Sequence, residues 1–149
     1  MEKQFTNMVG DCFKALAEKY GFNQETEIND GQTYSVEYGS DSFVIKLEKY
    51  RHEFYASLYK TGTSDMEVNL NNLLAYLHLD SSIVPVFEYC RDETDLEECY
   101  RKQLIHISTA IYNNYAILNE FFCTGTYALK VEAVRAFMLR KYPALFKRT

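Results

Sequence analysis

Apolar side chains recur at Phe5, Met8, Val9, Cys12, Phe13, Leu16 and Tyr20, at intervals of three and four, and therefore share one face of a helix. Glu2, Lys3, Asp11, Lys14, Glu18 and Lys19 fill much of the rest, and Gly21 suits the left-handed position that closes a helix. From Gln24 the period changes to two. Tyr34, Val36 and Tyr38 alternate with Thr33, Ser35 and Glu37. Phe43, Ile45 and Leu47 alternate with Val44, Lys46 and Glu48, and Phe54, Ala56 and Leu58 with Tyr55, Ser57 and Tyr59. Between these runs lie Asn29-Asp30-Gly31, Gly39-Ser40-Asp41 and Arg51-His52, the first two being strong turn signals. Connections this short cannot hold a crossover helix, so consecutive strands are antiparallel neighbours. The pattern predicts a three- or four-stranded antiparallel meander over residues 24–61, with one apolar face that takes a helix and one mixed face.

Beyond Thr61-Gly62-Thr63 the period returns to that of a helix. Asn69 is placed to cap a short helix carrying Leu70, Leu73, Leu74 and Leu77, and Pro85 interrupts an irregular stretch over 81–89. Thr94-Asp95-Leu96-Glu97 fits a capping box. Leu96, Tyr100, Ile107, Ile111, Leu118 and Phe121 follow with the spacing of one long helix. A break at Thr124-Gly125-Thr126 precedes a last helix with Tyr127, Val131, Val134 and Met138, which ends before Pro143. With no repeat, low-complexity tract or linker, the expectation is a single α+β domain over 1–149: an N-terminal helix, the meander, then three helices including one long one.

Composition agrees with that class. The chain has 149 residues, 47% hydrophobic and 25% charged. At this length a chain buries roughly 70% of its unfolded surface, enough to fold without disulfide or metal. Its formal charge is −5, from 16 Lys plus Arg against 21 Asp plus Glu. Duplex-binding domains carry a basic surplus, so nucleic-acid binding is disfavoured. The charge is uneven. Residues 1–80 hold 7 basic and 13 acidic side chains, and residues 81–149 hold 9 and 8. Glu88–Glu98 carries six acids and one Arg, whereas Lys130–Arg148 carries six bases and one Glu.

No apolar run approaches a membrane span, and no secretory h-region opens the chain. Cys12, Cys90, Cys99 and Cys123 show no CxxC spacing. They read as reduced, mostly buried cysteines of a cytoplasmic protein.

Catalytic motifs are sparse. There is no GxSxG elbow, no GxxxxGK[ST] loop and no GxGxxG. His52, His78 and His106 form no HxxxH or HExxH pair, so no metal and no cofactor is expected. Cys99 and His106 lie seven residues apart on one helix, about 10 Å along its axis, too far for proton transfer.

The aromatic residues say more. Thirteen Tyr and no Trp are present. Alternation puts Tyr50, Tyr55 and Tyr59 on the sheet face opposite Phe43, Ile45, Leu47, Phe54 and Leu58, flanked by Glu48 and Glu53. Tyrosine is enriched at protein interfaces, although the same rows also stabilise a solvated sheet face through cross-strand pairs. A second candidate surface is the acidic cluster Asp92, Glu93, Asp95, Glu97 and Glu98. A third arises because Gln103–Asn119 contains no Lys, Arg, Asp or Glu. Such a helix is either covered on both sides or offers a homodimer or partner surface through Tyr112, Asn113 and Tyr115.

Phe13-Lys14-Ala15-Leu16, Tyr20-Gly21-Phe22, Tyr34–Tyr38, Phe43–Leu47 and Leu70–Leu77 together give residues 5–80 a cadence that resembles small bacterial α+β proteins, some similar to immunity proteins of polymorphic toxin systems. That resemblance implies a protein that works by binding another protein, often through acidic patches against a basic, nuclease-like toxin. The expectation is therefore a non-enzymatic, cytoplasmic protein-binding domain, an immunity-type inhibitor that occludes a basic toxin. Two alternatives stand beside it. One is a small-ligand-binding protein or enzyme whose pocket, between sheet and long helix, gathers Gln103, His106 and Asn114. The other is a structural homo-oligomer.

Overall fold

The computed structural model describes residues 2–30, 33–77 and 96–141. Helix α1 spans Glu2–Tyr20, and five strands follow: β1 Asn23–Asn29, β2 Tyr34–Gly39, β3 Phe43–Tyr50, β4 Glu53–Lys60 and β5 Val68–Asn69. Four further helices are described: α2 Leu70–Tyr76, α3 Leu96–Asn113, α4 Tyr115–Cys123 and α5 Tyr127–Lys141. The strands form one antiparallel sheet in the order β1-β2-β3-β4-β5. The α+β class, the N-terminal helix and the meander agree with the hydrophobic pattern.

Two details differ from it. The sheet gains a fifth strand, because Val68 and Asn69 pair with Leu58 and Ser57; two residues are too few to show a period. The long helix is broken at Asn114, whose backbone leaves the helical course (φ −115°, ψ 16°) and whose Nδ2 donates to the Ala110 carbonyl at 2.8 Å. The proposed capping box falls on Thr94 and Asp95, outside the described residues.

Local chemistry sets the turns. Gly21 sits at φ 73°, and its N–H and that of Phe22 both donate to the Ala17 carbonyl, closing α1. Asp30 Oδ1 accepts from the Thr33 amide at 2.8 Å beside the first hairpin turn. Arg51 adopts φ 57° in the two-residue link between β3 and β4. Asn69 caps α2 as its sequence position suggests, its side chain accepting from the Asn72 amide at 3.1 Å.

The helices cover one face of the sheet. Tyr34, Val36, Tyr38, Phe43, Ile45, Leu47, Phe54, Ala56, Leu58 and Val68 point to that side and are buried. Met8, Val9, Phe13 and Leu16 of α1, Leu73 and Leu74 of α2, and Leu104 and Ile111 of α3 meet them in one cluster, joined by side chains of α4 and α5. Two aromatic groups mark its ends. Phe5, Tyr34, Phe54 and Tyr100 pack edge to face or tilted at one end, and Tyr20, Phe22, Phe43, Tyr115 and Phe122 gather at the other.

Gln103 fastens α3 to the sheet. It is only 4% exposed. Its Oε1 accepts from the Phe54 amide at 2.8 Å, and its Nε2 donates to the His52 carbonyl at 2.8 Å. A glutamine reads as polar in a helical pattern, yet here it completes the backbone hydrogen bonding of a hairpin end.

Candidate protein-docking face

The register fixes what the other side of the sheet presents. Side chains alternate across a strand, so the rows Ile28–Ser35–Glu48–Tyr55, Thr26–Glu37–Lys46–Ser57–Asn69 and Gly39–Val44–Tyr59 cross the strands on the side away from the helices. Tyr50 stands opposite Glu53 at the hairpin end. A bulge between Gln24 and Thr26 displaces Glu25, whose carboxylate occupies the space a Cβ at position 39 would need. Glycine at 39 is what admits that carboxylate. Glu67 joins from the segment before β5.

This face carries Glu25, Glu37, Glu48, Glu53 and Glu67 against Lys46 and Arg51, a balance of −3. Lys46 Nζ lies 3.3 Å from Glu67 and 3.9 Å from Glu48. Burial alone would lower the lysine, but Glu67 and Glu48 hold it above its ordinary value. Tyr59 donates to Glu37 Oε1 at 2.8 Å, and Thr26 donates to the same oxygen at 3.3 Å. Burial, then the Glu37 hydrogen bond, push the Tyr59 hydroxyl up to about 12. Tyr55 donates to Glu53 in a short contact, which raises its hydroxyl to about 12. Glu37 and Glu53 are thus held by hydroxyl donors, whereas Glu48 and Glu67 share the Lys46 ammonium.

The three tyrosines share this face, as alternation requires, but they are not equivalent. Tyr50 is 60% exposed and Tyr55 42%, whereas Tyr59 is 6% exposed and committed to Glu37. Arg51 lies over the Tyr50 ring, 5.2 Å from its centroid. The exposed part of this face therefore presents Ile28, Tyr50, Tyr55 and the glutamates, with Tyr59 as the post that orients Glu37.

The other candidate residues are placed differently. Asp92, Glu93 and Asp95 lie outside the described residues. Glu97 and Glu98 are exposed in the first turn of α3, where carboxylates favour the helix dipole. Tyr112 and Tyr115 turn inward: Tyr115 stacks on Tyr20 with centroids 3.8 Å apart, and Tyr112 meets the same ring edge-on. They serve this chain's own packing, and only Asn113 of that trio is exposed.

Gln103, His106 and Asn114 do not converge on a pocket between sheet and long helix. Gln103 holds the hairpin, Asn114 bonds back to its own helix, and Leu104, Ile107 and Ile111 sit in the core between. A groove of about 380 Å³ lies instead between α1 and α3, lined by Asp11, Cys12, Arg101, Ser108 and Tyr112 among others. Burial raises the Cys12 thiol above its ordinary value although Arg101 hydrogen-bonds it.

The cysteines do not share one state. Cys12 and Cys123 are free, and Cys99 is disulfide-bonded, which corrects the expectation of a fully reduced set. Helical spacing reports burial and is blind to oxidation state. Among the described residues no three His, Cys, Asp or Glu side chains are grouped as metal ligands, and no described helix is long and apolar enough to cross a membrane.

No family model, curated protein or solved structure matches this chain.

Proposed function

We propose that the chain is a non-enzymatic protein-binding domain whose open sheet face docks a basic protein, in the manner of an immunity-type inhibitor that occludes a toxin. The observation that carries this reading is the juxtaposition of four strand glutamates, Glu67 beside β5 and two exposed tyrosines, against Lys46 and Arg51, on one antiparallel sheet face. Strands hold such groups in place better than loops, so little ordering entropy remains to be lost on binding. Tyr50 and Tyr55 supply amphipathic area of the kind that anchors interfaces. The glutamates supply a field that speeds encounter with a positive surface and rejects a negative one.

Inhibition then follows from coverage. A partner whose active surface is basic, because its own substrate is polyanionic, loses that surface while docked.

The test is capture of the product of the adjacent open reading frame, co-expressed with the tagged chain, by the wild type and by two charge-reversed variants. Glu48→Lys with Glu53→Lys alters the sheet; Glu97→Lys with Glu98→Lys alters the start of α3. Capture lost with the first pair and kept with the second supports the sheet. The opposite pattern moves the site to α3, and unchanged capture by both removes the acidic surfaces from the account.

A further inference from the structure

Among the described residues, the outer face of helix α5 is left uncovered. Tyr127, Val131, Val134 and Met138 recur at three and four and turn toward the core. Leu129, Glu132, Ala136 and Leu139 recur with the same spacing on the other side and are exposed. Leu129 is 69% exposed and Leu139 46%. Arg135 and Arg140 flank this stripe, both exposed. With Glu132 the face carries a balance of +1, since Lys141 lies instead over the Phe137 ring on the side packed against Tyr76. An apolar strip edged by arginines has the composition of an interface rather than of a solvated helix.

Its complement is on the same molecule. The sheet face carries −3 together with exposed Tyr50 and Tyr55, so arginine finds carboxylates to pair with and the Tyr55 ring to stack on, the Tyr50 ring already lying under Arg51. Dimensions match as well. A 15-residue helix is about 22 Å long, and the eight-residue strands β3 and β4 run about 27 Å. Within one chain the two faces approach only beside β5, where Arg135 and Glu67 line one groove. Helix α5 packs on the helical side, through Phe137 against Tyr76 and through the Tyr127 hydroxyl donating to the Met66 carbonyl, while Glu48, Tyr50, Glu53 and Tyr55 lie on the opposite side of the sheet.

We propose that α5 of one chain docks on the glutamate–tyrosine sheet face of a second copy. The pairing is heterologous, head to tail, so it propagates into chains or rings rather than closing as a two-fold dimer. One helix face covers only a few hundred Å² on each partner, roughly the low end of protein contacts, so association is weak and rises with concentration. This inference uses the same acidic face as the docking reading, and a basic partner would compete with the second copy for it.

Light scattering and sedimentation equilibrium on the purified full chain test this. At low salt the weight-average mass should rise above 17.5 kDa as protein approaches about 1 mM, and fall back at about 0.5 M salt, where screening reaches only a few Å. Arg135→Gln with Arg140→Gln, and separately Glu48→Gln with Glu53→Gln, should each stay monomeric, with circular dichroism confirming their fold. An equimolar mixture of the two variants keeps one intact sheet and one intact helix, and should form a one-to-one dimer that grows no further. Wild type that stays monomeric at low salt overturns the proposal, as does either variant associating like wild type, or a mixture that fails to pair. Capture of a basic partner by the Arg135→Gln, Arg140→Gln variant is measured alongside. Capture retained while self-association fails rejects the second copy as occupant and leaves the docking reading intact.

Discussion

Replacing Gln103 by leucine probes the joint that holds the long helix to the sheet. Leucine has similar bulk and higher hydrophobicity, so a purely apolar contact would be conserved or improved. The structure requires the opposite. Gln103 is the partner of two main-chain groups at the β3–β4 hairpin, the Phe54 amide and the His52 carbonyl, both at 2.8 Å. Leucine leaves both without that partner. A stranded buried donor or acceptor costs about 1–3 kcal/mol, and the extra apolar contact offsets part of the sum. The net loss is then about 2–4 kcal/mol, a fall in Tm of roughly 5–15 °C for a chain of this size. Urea denaturation at unchanged m-value measures the loss, and hydrogen exchange locates it. The Phe54 amide should lose protection before its β4 neighbours. Gln103→Glu adds a sign test. Its carboxyl donates to the His52 carbonyl only when protonated, so its folded pKa is raised. That variant's stability is then greatest at pH below the usual carboxylate range and declines as pH rises through the folded value. A loss under about 1 kcal/mol for the leucine variant, with Phe54 still protected, would refute the assignment of Gln103 as the joint.

Gly10 lies within α1 with no atom within 4 Å of an added Cβ; Gly10→Ala should therefore raise stability by about 0.5–1 kcal/mol, and a loss on chemical denaturation would mean the helix packs more closely there. Gly39→Ala meets only the end of the Glu25 side chain, so it should swing that carboxylate aside at small cost in Tm; a large fall would show that Glu25 is fixed. Tyr55, Tyr59 and Tyr127 are all raised to about 12 in the folded chain, and burial raises Tyr34 and Tyr38 as well. Unfolded tyrosine ionises near 10. Their stabilising contribution is complete below that value and is lost as pH climbs through about 12. The share of tyrosinate absorbance that belongs to these five of the thirteen tyrosines should therefore appear late and together with unfolding, and all thirteen titrating near pH 10 with the fold retained would contradict it.

Much of the glutamate–tyrosine face was legible in the sequence. The alternation in Tyr34–Tyr38, Phe43–Leu47 and Phe54–Tyr59 fixes parity, and parity alone puts Glu37, Lys46, Glu48, Tyr50, Glu53 and Tyr55 on one side. The acidic cluster singled out in the sequence was instead that of Asp92 to Glu98. Glu25 and Glu67 were not legible, because a bulge moves one and a two-residue strand positions the other. Nor was the role of Tyr59, whose burial depends on neighbours from β2 and β3. Gln103 escaped because its partners lie 49 and 51 residues upstream, beyond any helical period. The uncharged run Gln103–Asn119 is only partly explained by burial. Leu104, Ile107, Ile111 and Leu118 are core, and Tyr112 and Tyr115 pack on the end of α1, whereas Ile105, Thr109, Asn113, Ala116 and Ile117 are exposed.

The central claim is that the glutamate–tyrosine sheet face receives a basic protein. Its most direct test is the association rate with the co-expressed basic partner, followed by stopped flow across ionic strength for the wild type and for Glu48→Gln with Glu53→Gln. The account predicts a wild-type rate that falls steeply with salt, and a variant about tenfold slower at low salt with a flatter dependence. Equal rates and equal salt slopes would show that the partner does not land on the sheet.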